Sequence, residues 1–363
     1  MANTGDLQTA SALQQATDEP RLLPLSFVGS GSEYLRIWIV NLLLSIVTLG
    51  IYSAWAKVRR TRYFYANTKL AGTSFDYHGN PIAILKGRII AALFVGAYNI
   101  AFKISAATGF AMLAALMLLT PWLVWKSYQF KLYNSSYRGI RFGFRGTLGR
   151  VYFVYLLLPV LSLVTVYLLA PFTHQRIKKF QHEESRYGNT HFSFYGSVGG
   201  FYKVYLIVFL IGIAGMVVAG FGFGGALRGI FVAGGLKHAS GAAAGTFILF
   251  IFVLYALLFS LMPIFLALIQ NLIWNSTALD THRFESRMKP GKMVFIAITN
   301  LIGIILTLGL FIPFAQVRAL KYRIESTSML ASGSLDDFVA DVQSQTSATG
   351  EGMADLLDFD LSL

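Results

Sequence analysis

Among 363 residues, the side chains able to ligate a metal gather in one stretch: His174, His182, Glu183, Glu184 and His191. A borderline cation needs three or four such groups converging in space. Here His174 and His182 stand eight residues apart, a strand pattern follows, and Lys178, Lys179 and Arg186 sit among them with charge that opposes a cation. The stretch reads as a solvated polar loop. Asp76 and His78 share the polar face of a strand whose other face carries Phe75 and Tyr77. They make an acid–base pair, but no nucleophile or second acid accompanies them in the sequence. Gly220-Phe221-Gly222-Phe223-Gly224-Gly225 satisfies G-x-G-x-x-G, yet it follows an apolar run and opens no βαβ unit, so the dinucleotide mechanism is missing. Gly220/Gly224, Gly225/Gly229 and Gly241/Gly245 have the spacing that lets helices approach closely, a spacing expected by chance in so glycine-rich a segment. With no cysteine, thiol nucleophiles, iron–sulfur clusters and cysteine-held zinc are excluded. The residues predict no enzyme, no cofactor and no metal.

Positive charge is the stronger signal. Residues 34–330 hold 29 of the 30 Lys and Arg and only six acids, whereas residues 331–363 hold seven acids and no base. Lys57, Arg59, Arg60 and Arg62 stand beside Tyr52, Trp55, Tyr63 and Tyr65, and Arg138, Arg141 and Arg145 form a second group, with Arg318 in a third. Amphipathic rings and cationic tips suit the headgroup layer, where each basic side chain attracts anionic lipid by about 1 kcal/mol. Ordinary positive-inside topology would give the same clusters. Nucleic acid is a poorer partner, because the bases are spread among apolar helices rather than gathered on a soluble reading element.

The elements that position these groups are apolar. Hydrophobic residues make up 55% of the chain and charged ones 13%, about half the charge of a soluble domain. Runs near 37–56, 89–107, 110–125, 151–172, 204–219, 246–273 and 294–314 approach the roughly 20 residues of a spanning helix. No acid lies in any of them, which disfavours a carboxylate-based proton or sodium relay. Asn41 and Asn300 are left at depth, either bonding neighbouring helices or lining a pathway.

Three of these runs repeat. An offset of 259 places Asn41 on Asn300, Thr48-Leu49-Gly50 on Thr307-Leu308-Gly309, Trp55 on Phe314, Arg59 on Arg318 and Tyr63 on Tyr322. A looser copy at offset 117 supplies Thr165, Phe172, Arg176 and Phe180. The repeats lie near 33–79, 149–196 and 291–327. A second motif, aromatic at alternate positions and then Gly, recurs at Phe75–Gly79, Phe142–Gly146 and Phe192–Gly196, with a shortened relative at Leu25–Gly29 and a degenerate one at His282–Phe284. It predicts five short strands with one buried face.

If those strands share one sheet, each copy must enter and leave the membrane on the same face, as a hairpin that breaks at Thr-Leu-Gly. Charge supports that arrangement. Seven alternating spans put 18 basic residues inside and 11 outside, whereas four spans plus three hairpins put 26 inside and leave only Lys103, Arg228 and Lys237 outside.

The stretch Glu33–Thr68, EYLRIWIVNLLLSIVTLGIYSAWAKVRRTRYFYANT, with Phe75–Gly79 and Ile84–Arg88, resembles the YjgN family of bacterial inner-membrane proteins. The resemblance runs over roughly 25–330 and implies an inner-membrane location. It brings no reaction, ligand or catalytic residue.

The expectation is therefore an all-α multi-pass membrane protein with about four spanning helices, three re-entrant or interfacial hairpins and a small cytoplasmic β-sheet. Residues 1–24 are expected to be a disordered polar N-terminus, 25–330 the membrane domain and 331–363 an acidic, disordered tail that docks on the basic face or on a partner. Both termini are placed in the cytoplasm. The function read from the sequence is a non-enzymatic protein engaging anionic lipid or a membrane partner through Lys57, Arg59, Arg60, Arg62, Arg138, Arg141, Arg145 and Arg318. The alternative is a transporter or channel for a small solute, with Asn41 and Asn300 on its pathway.

Overall fold

The structure, a computed structural model, describes residues 21–232, 234–235 and 241–348. After strand β1 (Arg21–Phe27), one unit recurs: two helices, then a β-hairpin of a three-residue and a five-residue strand. The pairs are α1 (Gly31–Val47) with α2 (Ser53–Ala66), α3 (Pro81–Ile104) with α4 (Ala106–Tyr133), and α5 (Leu148–Val164) with α6 (Ala170–Glu183). Then come α7 (Val198–Val232) with α8 (Gly241–Asn275), and α9 (Pro290–Leu306) with α10 (Ile312–Glu325). The hairpins are β2–β3 (Thr68–Leu70, Thr73–Tyr77), β4–β5 (Ser135–Tyr137, Ile140–Phe144), β6–β7 (Ser185–Tyr187, Thr190–Phe194) and β8–β9 (Thr277–Leu279, His282–Ser286). Strand β10 (Thr327–Ala331) pairs with β1 and supplies the fifth.

These strands close into a ten-stranded antiparallel barrel, which corrects the expectation of an all-α protein with a small sheet. Four of the five motif strands are preceded by a partner of only three residues running straight off a helix end, so four of the ten barrel strands have no strand signature of their own. The register is the same at all five junctions: Leu25–Leu70, Phe75–Tyr137, Phe142–Tyr187, Phe192–Leu279 and Phe284–Met329 lie opposite one another. One residue type marks each junction. The hydroxyls of Thr68, Ser135, Ser185, Thr277 and Thr327 donate to the carbonyl four residues back, at 2.6–3.2 Å, satisfying a helix-end acceptor as the chain turns into the strand.

The glycine that ends the motif also has a local cause. A Cβ on Gly196 would lie 2.4 Å from the Phe194 ring, and one on Gly79 would lie 2.4 Å from the Tyr77 hydroxyl. The ring two residues earlier lies across the backbone, so only Gly fits. At the corresponding place in β9 both change together: Ser286 replaces the aromatic and Met288 replaces Gly. Asn271 Oδ1 fills the vacated position, accepting from Ser286 Oγ at 2.9 Å and Met288 N at 2.8 Å.

Because every pair starts and ends at the barrel, all five project from it as hairpins. Two pairs are long: α3, α4, α7 and α8, with 24, 28, 35 and 35 residues, are apolar and long enough to cross a membrane. The helices of the repeat copies have only 14 or 17 residues each. At 1.5 Å per residue they reach about 21–26 Å, short of the roughly 30 Å hydrocarbon layer.

Thr-Leu-Gly forms the tips of the first and last copies. Leu49 and Gly50 take φ of 49° and 91°, and Leu308 and Gly309 take 49° and 96°. Thr48 Oγ1 accepts from Tyr52 N, and Thr307 Oγ1 from Phe311 N, both at 2.9 Å, starting the return helix. Leu49 and Leu308 are 94% and 96% exposed, apolar tips that water would not favour.

Helix α11 (Leu335–Ala348) lies beyond β10, where the sequence predicts disorder. It packs Leu335, Val339 and Val342 onto the core formed by Leu70, Tyr137, Tyr187, Leu279 and Met329. Phe338 contacts the Tyr187 and His282 rings at 6.3 and 4.5 Å. The apolar residues interleaved with the acids supply the docking face, and acidic Asp336 pairs with Arg138. Strand β1 likewise begins at Arg21, ahead of the expected boundary at 25. Glu351, Asp355, Asp358 and Asp360 lie outside the described residues.

Candidate functional site

The basic residues singled out in the sequence divide into two sets. Arg59 and Arg60 are exposed on α2, with their guanidinium carbons 6.0 Å from the Tyr52 ring and 5.8 Å from the Phe64 ring. Tyr52 and Trp55 stack beside them at 6.2 Å. Arg141 and Arg145 are exposed at the barrel, Arg141 lying 4.9 Å from the Tyr133 ring. These four are available to a surface ligand.

The others are engaged within the fold. Arg62 Nε donates to the Tyr77 carbonyl at 3.3 Å, tying α2 to β3. Arg138 pairs with Asp336 of α11. Arg318 donates to Thr299 Oγ1 at 2.7 Å and Asn300 Oδ1 at 3.3 Å, holding α10 against α9. Lys57, the exception, is exposed on α2, its ammonium held below the usual range by partial burial and by the charges of Arg88 and Lys131.

Asn300 is buried and donates to the Ala315 carbonyl at 3.2 Å, so its amide is spent on packing between α9 and α10. Asn41, its counterpart in α1, is also buried, and its Oδ1 has no partner among the described residues.

Of the groups weighed for catalysis, Asp76 and His78 do come together, on the outer face of the barrel. They line a cleft of about 440 Å³ with Ser136, Arg138 and Arg141. His78 Nε2 is 2.9 Å from Ser136 Oγ, a hydroxyl that spacing in the sequence could not pair with it. Asp76 Oδ2 lies 3.8 Å from the same nitrogen, whereas a relay needs the carboxylate on the opposite one. Asp76 Oδ1 accepts instead from the Tyr77 amide at 2.7 Å. The cleft therefore has polar lining without the geometry of a charge-relay nucleophile.

The histidine-rich stretch is dispersed by the fold. His174 Nδ1 lies 3.1 Å from Tyr205 Oη, and His182 stacks on Phe194 with Nδ1 2.7 Å from the Lys178 carbonyl. Burial pushes the His182 imidazole down to about 4, so it is neutral at physiological pH. Glu183 pairs with Lys179, and Glu184 with Arg150. No cluster of three metal-ligating side chains occurs among the described residues. The G-x-G-x-x-G run is uninterrupted helix within α7, and at Gly220, Gly224, Gly225 and Gly229 an added Cβ would meet nothing within 4 Å. Close packing against α8 uses Gly212 and Gly215 instead, which face Leu261 and Leu257.

A closed barrel from which five helical hairpins project, two of them membrane-long and the rest tipped with exposed leucine or valine, defines an integral membrane protein. The chain matches a family described as "Bacterial protein of unknown function (DUF898)" over residues 22–356, and it belongs to that family. It is similar to proteins named "Inner membrane protein YjgN". The one from Salmonella typhimurium is 31% identical over 144 residues, covering 39% of this chain and 36% of the relative. Those from Escherichia coli O157:H7 and strain K12 are 31% and 30% identical, each alignment covering 38% of this chain and 35% of the relative. The aligned segment thus spans little more than a third of these relatives. No solved structure matches the chain.

Proposed function

We propose that this is a non-enzymatic, multi-pass protein of the bacterial inner membrane that engages anionic lipid headgroups through a basic cytoplasmic face at the junction of barrel and bilayer. The barrel and both termini lie in the cytoplasm in this reading. The observation that carries it is the return of all five helix pairs to one barrel, which gathers the basic connecting segments on one side. Positive charge on that side favours the cytoplasm. Arg59 and Arg60, exposed beside the Tyr52–Trp55 stack, have the composition of a headgroup contact. Native mass spectrometry of the purified protein, titrated with phosphatidylglycerol or phosphatidylcholine, tests the reading. Arg59→Gln with Arg60→Gln and Arg145→Gln should lower the number of phosphatidylglycerol molecules retained; equal retention by parent and variant overturns it.

A second reading, transport of a small solute, is favoured by the arrangement of five similar units around one axis. Its test is flux in proteoliposomes. The expected pathway role of Asn300 receives no support, because its amide is committed to Ala315.

A further inference from the structure

Three neighbouring strands of the barrel wall place polar side chains in one row. Asp76 of β3 lies opposite Ser136 of β4, and Ser136 lies opposite Arg141 of β5. With about 4.8 Å between strands, the row is about 10 Å long, with a carboxylate at one end, a hydroxyl in the middle and a guanidinium at the other. Ser74 shares the outward face of Asp76, and Arg138 follows Ser136 by two residues at the hairpin turn. All five line the cleft of about 440 Å³, a size that admits a small molecule.

The row is fixed by its neighbours. Ser136 is buried, and its Oγ lies 2.9 Å from His78 Nε2. Asp76 Oδ1 accepts from the Tyr77 amide at 2.7 Å, which leaves Oδ2 for the cleft. The Arg141 guanidinium carbon lies 4.9 Å from the Tyr133 ring, and the side chain forms no ion pair with a carboxylate among the described residues.

Arg138 is placed against its backbone preference. It takes φ of 47° at a turn position that favours Gly or Asn, and Gly139 follows at 79°. Its guanidinium holds the Asp336 carboxylate of α11, 198 residues further on, while its Nε is buried without a partner. Asp336 is 81% exposed, so water screens the pair and another oxyanion can take the place of the carboxylate. The fold thus already seats one oxyanion at the edge of the cleft.

The cleft opens away from the membrane. Strand β2 leaves the end of α2 and β3 returns to the start of α3, so the turn between them lies at the end of the barrel remote from the helices. The β4–β5 turn lies there for the same reason, and Thr73, Ser74, Arg138 and Gly139 at these two turns form that side of the cleft.

We propose that this cleft binds a soluble phosphate monoester of a small polyol, with the phosphate on Arg141, Ser136 and Arg138, a polyol hydroxyl on Asp76, and Asp336 as a tethered competitor for Arg138. Guanidinium groups match phosphate oxygens in charge and geometry. A carboxylate that repels a bare anion accepts from a hydroxyl, so Asp76 selects the ester over inorganic phosphate. The glycerol phosphate of a lipid headgroup shares this chemistry, but the opening of the cleft at the turns favours the soluble source. The site uses none of Arg59, Arg60 and Arg145 and takes a water-soluble ligand, so its failure and the failure of headgroup binding are distinguishable.

The test uses the full chain in a nonionic detergent without added lipid, titrated calorimetrically with glycerol 3-phosphate and, separately, with inorganic phosphate. The parent protein binds both, the ester more tightly. Arg141→Gln lowers both affinities about tenfold, as loss of a charged hydrogen bond does. Asp76→Asn abolishes the preference for the ester. Asp336→Asn raises both affinities by freeing Arg138. All three substituted side chains are exposed, so the thermal midpoints without ligand stay at the parent value and report that the variants are folded. Binding of neither ligand, unchanged affinity in Arg141→Gln, or displacement of glycerol 3-phosphate by dioctanoylphosphatidylglycerol, which would assign the cleft to lipid, overturns the proposal.

Discussion

The glycine at the end of each motif strand makes a quantitative test of how the unit is built. The three atoms nearest to a Cβ on Gly196 would all belong to the Phe194 ring, at 2.4, 2.6 and 3.3 Å. That ring cannot swing away freely, because it is packed against Phe201, Val204 and Ile269 and stacked on His182. Overpacking of this kind costs about 1–3 kcal/mol, so Gly196→Ala should destabilise by about 2 kcal/mol. Phe194→Ala alone should cost about 3–5 kcal/mol through lost burial. In the Phe194→Ala background the added methyl meets no ring, and Gly196→Ala should then cost only a few tenths of a kcal/mol. The double-mutant cycle therefore has a coupling of about 2 kcal/mol in the direction of rescue. β9 already contains the combination, with Ser286 and Met288 in the two positions. Reversible denaturant titrations in detergent, followed by tryptophan fluorescence, measure the cycle. If Gly196→Ala costs the same with and without the Phe194 ring, the explanation of the motif is wrong.

Tyr167 occupies the tip position filled by Gly50 and Gly309 in the other copies, at φ 63°. Tyr167→Gly should raise stability by about 1 kcal/mol in the same assay, and a loss would show that its ring makes a compensating contact. His182 gives a pH dependence. Its folded value of about 4 lies below the ordinary 6.5, so between those values the unfolded chain binds a proton that the folded one does not, and stability falls as pH drops through that window. At pH 5 the His182 share of the loss relative to pH 7 should approach about 2 kcal/mol; His182→Gln should remove that share and leave the parallel one of His174, whose imidazole burial also pushes down to about 4. Asp336 is 81% exposed, so Asp336→Asn should leave α11 docked, as exposed ion pairs contribute under about 1 kcal/mol. Val339→Asp with Val342→Asp should release it. Limited proteolysis near residue 333 reports both, and cleavage of the Asp336 variant at the rate of the valine variant would contradict the ranking.

Sequence alone carried the apolar helical runs, the Thr-Leu-Gly tips of two repeat copies and the five motif strands, because each is a local pattern with a local cause: Thr capping, left-handed turn residues, a ring laid over glycine in most of the strands. It missed the barrel because strands such as Thr68-Lys69-Leu70 and Ser135-Ser136-Tyr137 are too short to show alternation and exist only through pairing. It found three copies rather than five units because α3–α4 and α7–α8 run on as long helices and carry no Thr-Leu-Gly tip. The apolar side of α11 was visible as Leu335, Phe338 and Val339 among acids, but its receiving surface comes from strands far apart in the chain. Of the basic residues, Arg59 and Arg60 were legible from their aromatic neighbours.

The central claim is that one barrel, lying on the cytoplasmic side, receives every helix pair. The absence of native cysteine makes the test direct. Single cysteines replace Ser74, His191 and Arg283, exposed on three different barrel strands, and Ala106 and Ala242, at the far ends of the long pairs. Intact cells are treated with a membrane-impermeant thiol reagent. The account predicts protection at all three barrel positions and labelling at Ala106 and Ala242. Labelling at position 191 or 283 with protection at 74 would place the strands on opposite sides of the membrane and contradict it.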